Sequence, residues 1–211
     1  KLNPGLAEAH LNLGNILQNQ GKSKEAEFSY HKAIKFNPGL AEAHLNLGNV
    51  LQTQKNFREA ENSYRKATEL KPNFKEALFV FSIFLRNIGK LKDAELYTRK
   101  VIQLNPEFAE AHSNLGGILI SKGQFKDAKL SLLKAIDLKP NFSRVFYLLS
   151  LLKSSIKDQE WQDRLFSENF LKNFSIKDQI FIYFARSNVL HKDKNFTESA
   201  KNLKKANDLK L

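Results

Sequence analysis

The sequence predicts an all-α fold in which helix–turn–helix units stack into an α-solenoid. Three observations lead to this prediction. The stretch NPGLAEAHLNLGN at residues 3–15 recurs unchanged at 37–49. All five prolines lie 34 residues apart, at positions 4, 38, 72, 106 and 140. Residues 3–36 and 37–70 are identical at 23 of 34 positions. A period of this length is typical of an array of supersecondary units.

Each 34-residue unit is predicted to contain two helices. In the first unit Ala9, Leu13 and Ile16 follow helical spacing and form an apolar stripe. Gly21 then supplies the left-handed turn that ends a helix. The second helix ends before Pro38, because proline disfavours helical geometry in the residue that precedes it.

Small and large side chains alternate where the paired helices must approach each other closely. One position of the first helix is Gly14, Gly48 or Gly116, with serine in other units. In the second helix an alanine is followed four residues later by a larger side chain, so that helix surfaces can interdigitate. These pairs are Ala26 and Tyr30, Ala60 and Tyr64, Ala94 and Thr98, and Ala128 and Leu132.

This pattern of residues resembles the tetratricopeptide repeat, a 34-residue helix–turn–helix with Leu-Gly, Tyr, Ala and Pro at set positions. The resemblance implies a right-handed α-solenoid and covers residues 1–142, as four regular units and the start of the next. The units are 3–36, 37–70, 71–104 and 105–138.

The period fails beyond this point. Residues 143–174 are predicted to be a degenerate helical repeat or capping segment, and 175–211 a final divergent helical pair, since 188–209 align with 49–70. The stretch 160–174 places Trp161, Leu165, Phe166 and Phe170 on one side of a helix. That side either caps the last repeat or forms a docking surface for a further domain.

The order of regular repeats, degenerate stretch and final unit resembles the amino-terminal arm of bacterial tetratricopeptide-repeat sulfotransferases. It resembles the arm of O-linked N-acetylglucosamine transferases less closely. The resemblance implies a sulfotransferase-like catalytic domain beyond Leu211. The chain lacks methionine even at its first residue, so we expect it to be continuous with further domains.

No catalytic, metal or cofactor site is predicted in the chain. It has no cysteine, which excludes thiolate chemistry and zinc–cysteine sites. The GKS at 21–23 lacks the earlier glycine of a phosphate-binding loop and follows a helix. His10, His44 and His112 share one repeat position on separate helical pairs, too far apart to bind one ion.

Composition and charge limit the classes of partner that we expect the chain to bind. The net charge of +12 comes from scattered lysines rather than a basic groove, so no nucleic acid is expected. The longest nearly apolar run, residues 77–85, is about half of the roughly 20 residues that span a membrane. We expect a cytoplasmic protein, since the absence of cysteine agrees with a reducing compartment.

A polar stripe on the first helices is the candidate binding site. In this repeat family the first helices line the inner, concave wall, and an asparagine amide can both donate to and accept from a peptide backbone. The stripe breaks at an apolar patch in the third unit. The predicted groove residues are Asn12, Asn15, Asn19, Asn46, Asn49, Asn114, Phe79, Val80 and Ile83.

Two functions follow from these observations. The first is a protein–protein interaction scaffold that binds a peptide or protein segment in its concave groove. The second is the substrate-recruiting arm of a larger group-transfer enzyme whose catalytic domain is not in this chain. In both cases the chain itself is not an enzyme.

Overall fold

The described residues of the computed structural model, 3–152 and 159–210, form twelve α-helices and one short 3₁₀ helix, with no strand among them. This confirms the predicted all-α class. Part of the predicted capping segment, residues 153–158, lies outside the described residues. The α-helices are α1 (Pro4–Asn19), α2 (Ser23–Phe36), α3 (Ala41–Thr53), α4 (Phe57–Leu70), α5 (Lys75–Asn87), α6 (Leu91–Leu104), α7 (Ala109–Ser121), α8 (Phe125–Leu138), α9 (Ser143–Leu151), α10 (Gln159–Phe166), α11 (Ile176–Lys192) and α12 (Phe196–Asp208), and the 3₁₀ helix is Phe170–Asn173.

The chain forms two compact units, Lys1–Leu104 and Asn105–Leu211. In the first unit the helices pack as three successive pairs, α1 with α2, α3 with α4 and α5 with α6. Each pair also contacts the next, because α2 packs on α3 and α4 on α5. The largest fully buried side chains of this unit include Tyr30, Tyr64, Phe81 and Phe84. These side chains are buried because successive pairs stack, and a single helical pair could not bury them alone.

The second unit begins with the pair α7 and α8 and then departs from the repeat. Helix α9 packs against α11, and α11 packs in turn against α12. Trp161, Leu165 and Phe170 from the stretch 160–174 are buried in the core of this unit, beside Phe146 of α9 and Ile182 of α11. The apolar side of that stretch is therefore used inside the unit. Phe166, which the sequence placed on the same side, is exposed.

Lys192, in the last turn of α11, holds the end of α9. Its Nζ donates to the backbone carbonyl oxygens of Ser150 and Leu152, at 2.5 and 2.7 Å. Carbonyls in the last turn of a helix lack partners within the helix, and a cation there also interacts favourably with the helix dipole. The contact joins α9, at the start of the predicted degenerate segment, to α11, in the predicted final helical pair.

Left-handed turns end the first helices of the units. Gly21, Gly89 and Gly123 have φ of 75°, 79° and 74°, as the sequence predicts for Gly21. In the second repeat, residues 37–70, the equivalent residue is Lys55, with φ of 64°. Lys194, which follows α11, has φ of 61°. A side chain in this region of backbone space costs about 1–2 kcal/mol.

We therefore expect Lys55→Gly to raise the free energy of unfolding by about 0.5–1 kcal/mol, after allowing for the greater entropy of glycine in the unfolded chain. The reciprocal variant Gly89→Lys should lower it by a similar amount, because its Cβ would meet no atom within 4 Å and only the backbone conformation is affected. Thermal unfolding followed by circular dichroism measures both. Shifts of the same sign in the two variants would contradict the explanation.

Among the described helices, none has both the length and the apolar content that crossing a bilayer requires.

Candidate functional site

The predicted polar stripe is continuous across the first two repeats. Asn12 and Asn19 of α1 are exposed, whereas Asn15, Asn46 and Asn49 are half-buried. The Asn46 Nδ2 of α3 donates to the Asn15 Oδ1 of α1 at 2.8 Å. This hydrogen bond joins the stripes of two successive first helices.

A buried tyrosine fixes the inner edge of the stripe in each of these repeats. The Tyr30 hydroxyl lies 2.9 Å from Asn15 Oδ1 and 2.7 Å from Gln18 Oε1. A phenol has only one proton, so it donates fully to one amide and the other amide turns its NH₂ towards the phenolic oxygen. Asn15 Oδ1 already accepts a hydrogen bond from Asn46. The phenol is therefore better assigned as donating to Asn15, with the Gln18 amide turned to donate to the phenolic oxygen. Burial raises the pKa of Tyr30 to about 12, so the hydroxyl keeps its proton at neutral pH.

The second repeat has the same arrangement. The Tyr64 hydroxyl donates to Asn49 Oδ1 at 2.9 Å, and Gln52 Oε1 lies 2.8 Å from it. Burial raises the pKa of Tyr64 as well. Sequence reasoning missed this role of Asn15 and Asn49, although the recurrence of Asn, Gln and Tyr at fixed spacing in both repeats could have shown it. Both amides have a structural function, whatever else they bind.

The third repeat contributes an apolar surface. Phe79, Val80 and Ile83 of α5 are each half-buried, so part of each side chain remains accessible. They occupy the part of α5 that corresponds to the asparagine stripes of α1 and α3. The first unit of the chain therefore carries eight of the nine predicted groove residues on three successive first helices.

Asn114 differs from its counterparts. It lies in α7, in the second unit, and is only 4% exposed. The protein encloses its amide, whereas Asn12, at the same repeat position, is exposed. Repeat position alone predicts that Asn114 and Asn12 belong to one exposed stripe. The side chains packed around α7 instead determine how accessible the Asn114 amide is. Its role as a groove residue remains a prediction, without the exposed amide that the sequence suggested.

Ion pairs join successive repeats near the start of the first helices. Lys71 Nζ lies 2.9 Å from Glu42 Oε1, and Lys139 Nζ lies 2.8 Å from Glu110 Oε1, both at a spacing of 29 residues. The hydrogen bond from Lys71 lowers the pKa of Glu42. Both pairs are largely exposed, so each contributes about 1 kcal/mol or less to stability. Sequence reasoning did not identify these pairs.

The three histidines at one repeat position contact their own units. His44 Nε2 lies 3.1 Å from the Pro38 carbonyl oxygen, and His112 Nε2 lies 2.8 Å from that of Pro106. His10 stacks on Phe36 with ring centroids 5.6 Å apart. Within residues 3–152 and 159–210 no group of three or more His, Cys, Asp or Glu side chains is arranged to hold a metal ion.

The comparison with protein families gives two matches. The profile of the tetratricopeptide repeat matches residues 7–40 and 41–74. A second profile, also described as tetratricopeptide repeat, matches residues 89–152. Together the matches cover well over half of the chain. A search of curated proteins found no match.

Solved structures with similar folds were also found. A structure described as the functional characterisation of pilF from Pseudomonas aeruginosa has a TM-score of 0.70 at 20% identity, covering 95% of this chain and 91% of that one. YrrB, described as a TPR protein with an unusual peptide-binding site, has a TM-score of 0.65 at 20% identity, covering 88% and 90%.

A third structure contains a bound peptide. It is the first TPR of Spaghetti (RPAP3) bound to the HSP90 peptide SRMEEVD, with a TM-score of 0.56 at 24% identity, covering 58% of this chain and 97% of that one. At these identities the three structures show that the fold is shared.

Proposed function

Because the chain belongs to the tetratricopeptide repeat family, we propose that it is a protein–protein interaction scaffold that holds an extended peptide or protein segment against α1, α3 and α5. The observation that carries this proposal is the joined stripe of asparagines beside an apolar patch. Asn46 and Asn15 link two first helices, and Val80 and Ile83 extend the surface onto a third. A cytoplasmic location, and a protein partner rather than nucleic acid or a membrane, belong to the same proposal.

The chemistry of this surface suits a peptide backbone. Amides donate and accept hydrogen bonds without carrying charge, so they can pair with backbone carbonyls and N–H groups of many sequences. The half-buried apolar patch would then select an apolar side chain, because binding sites combine apolar surface with a few polar groups that fix orientation. YrrB and the RPAP3 domain, whose descriptions mention peptides, support a peptide ligand for this fold.

The second candidate is that this scaffold is the recruiting arm of a sulfotransferase-like enzyme. It rests on the resemblance of residues 143–211 to such arms, and the comparisons add no support to it. The recruiting arm would use the same surface, so the two candidates differ in what lies beyond Leu211. The intact mass of the native protein and a map of its carboxy-terminal peptides distinguish them.

The test of the scaffold proposal starts from a random peptide library panned on the 211-residue chain, with affinities of the selected peptides measured by fluorescence anisotropy. We expect Val80→Glu to weaken binding about tenfold or more, since it places a charge in the apolar patch. Leu96→Glu is the matched control, because it makes the same kind of change on an exposed residue of α6. Equal losses in both variants, or no selected peptide, would contradict the proposal.

Alanine variants of Asn12 and Asn15 distinguish an effect on peptide affinity from an effect on stability. Asn12 is exposed, so Asn12→Ala should weaken the selected peptides about 2- to 10-fold, as expected for one hydrogen bond, with little change in melting temperature. Asn15→Ala should instead lower the melting temperature, because Asn46 loses its acceptor and Tyr30 loses one of its two amide partners. If Asn12→Ala destabilises the fold and leaves the affinity unchanged, the stripe is structural only.

A further inference from the structure

Two buried tyrosines fix the direction of two asparagine amides in the first unit. The Tyr30 hydroxyl donates to Asn15 Oδ1 at 2.9 Å. The Tyr64 hydroxyl donates to Asn49 Oδ1 at the same distance. Asn46 Nδ2 also donates to the Asn15 oxygen. Because the oxygens of these two amides accept hydrogen bonds from within the protein, each amide keeps its NH₂ group for a ligand.

Both NH₂ groups reach solvent. Within residues 3–152 and 159–210, no buried side-chain nitrogen or oxygen lacks a hydrogen-bond partner. Asn15 and Asn49 are half-buried, and neither Nδ2 has a partner among the described residues, so both nitrogens must be accessible. Asn46 adds one oxygen and its second N–H to this surface. Free donors therefore outnumber free acceptors on α1 and α3.

Asparagine and tyrosine occur together at these two repeat positions and are lost together. The pairs in the first four repeats are Asn15 and Tyr30, Asn49 and Tyr64, Ile83 and Thr98, and Gly117 and Leu132. Ile83 belongs to the half-buried apolar patch on α5, with Phe79 and Val80. The row that begins with two oriented donors therefore continues into an apolar surface within the same unit.

This order of donors and apolar surface matches a polyproline II segment. Such a segment makes no internal hydrogen bonds, so its carbonyl oxygens are open to donors. It repeats every three residues, over about 9 Å, and packed helices lie about 8–10 Å apart. Carbonyls three residues apart can therefore reach successive first helices. Proline has a carbonyl but no N–H, so a surface rich in donors leaves few of its backbone groups without a partner.

We propose that the segment held by α1, α3 and α5 is a proline-rich stretch in the polyproline II conformation. Its carbonyl oxygens accept hydrogen bonds from Asn15 Nδ2 and Asn49 Nδ2, and a proline ring further along packs on Val80 and Ile83. The two tyrosines are positioning residues, since they hold the amides from the side of the core. The inference rests on the proposed function, because it names the ligand class of the same surface.

The test measures the affinity of fluorescein-labelled decaproline for the 211-residue chain by fluorescence anisotropy. A labelled peptide of the same length that alternates glycine and serine is the comparison. It offers the same carbonyls, but it also carries N–H groups and loses more conformational entropy when it is held extended. We expect decaproline to bind at least about tenfold more tightly. Equal affinities would overturn the proposal, because the surface would then accept any extended backbone.

The variant Asn49→Asp removes the donor and keeps the packing. Its carboxylate still accepts from the Tyr64 hydroxyl, but a second oxygen replaces the NH₂ group, so the affinity for decaproline should fall about tenfold or more. Asn62→Asp is the matched control, because it makes the same change at an exposed residue of α4, and it should bind as the wild type does. Equal affinities of the two variants would overturn the proposal.

The variant Tyr64→Phe tests the positioning role. It keeps the buried ring and removes the hydroxyl, so the Asn49 amide is free to turn and the affinity should fall about 2- to 10-fold. Added to Asn49→Asp, it should cause no further loss, since the tyrosine acts through the asparagine. A further loss, or no loss in the single variant, would contradict that role.

Failure of this inference is distinguishable from failure of the scaffold proposal. Selected library peptides that lose affinity in Val80→Glu, together with no binding of decaproline, would overturn the proline-rich ligand and leave the scaffold proposal standing. Absence of binding by both kinds of peptide would overturn the two proposals together.

Discussion

The substitution Gly48→Ala is expected to lower the free energy of unfolding by about 1–3 kcal/mol. A Cβ on Gly48 would lie 2.7 Å from both Cδ1 and Cε1 of Tyr64, well inside van der Waals contact. The Tyr64 ring cannot yield easily, because it is fully buried and lies against Phe81 and Phe84. Its hydroxyl is also held by Asn49.

The chain contains a natural comparison for this substitution. In the fourth repeat a Cβ on Gly116 would lie 2.5 Å from Leu132 Cδ2, so glycine again faces a large side chain. In the third repeat the equivalent of Gly48 is Ser82, and the equivalent of Tyr64 is Thr98. Both are fully buried. A side chain larger than glycine is therefore tolerated where the facing residue is smaller.

Chemical denaturation followed by far-ultraviolet circular dichroism measures the effect of Gly48→Ala. Gly39→Ala is the control, because a Cβ there would lie 3.4 Å from its nearest neighbour, Asn37 Oδ1. Alanine favours a helix interior over glycine by about 1 kcal/mol, so a measured loss at Gly48 is net of that gain. An unchanged unfolding midpoint for Gly48→Ala would contradict this prediction, because it would mean that α3 and α4 can move apart enough to accommodate the new methyl group at little cost in free energy.

The parts of the fold that sequence could predict are those decided within one repeat. The helical pairs α1–α2 and α3–α4 follow from an apolar spacing, a turn at Gly21 and a stop at Pro38, all within 34 residues. These contacts are local, so the periodic pattern carries the information needed to place them. The family matches confirm the repeat that this pattern predicts.

Other parts depend on neighbours that periodicity does not describe. The packing of α9 against α11 joins the start of the degenerate segment to the final helical pair, and Lys192 caps α9 from 40 residues away. The repeat position of Asn114 matches that of Asn12, yet only Asn12 is exposed. The sequence thus identifies a set of equivalent positions as the candidate site, whereas the exposure of each amide depends on the tertiary packing around it.

Leu165 and Phe166 provide the second large expected effect. Leu165 is fully buried in the core of the second unit, and Phe166 is 39% exposed. Leu165→Ala should lower the free energy of unfolding by about 2–5 kcal/mol, the cost of a cavity in a packed core. Phe166→Ala should cost about 1 kcal/mol or less, since its ring is already partly in water and the Arg186 guanidinium lies 5.7 Å from the ring centroid.

The fluorescence of Trp161, the one tryptophan of the chain, reports the unfolding of this unit directly, because its side chain is buried in the same core. Denaturant unfolding of the two variants therefore compares adjacent residues with one probe. A large loss at Leu165 with a small loss at Phe166 means that the stretch 160–174 stabilises the second unit by covering its core. No loss in either variant would mean that the stretch detaches without cost, and its apolar side would then be available to another domain. A larger loss at Phe166 than at Leu165 would contradict the burial of these two side chains in the structure.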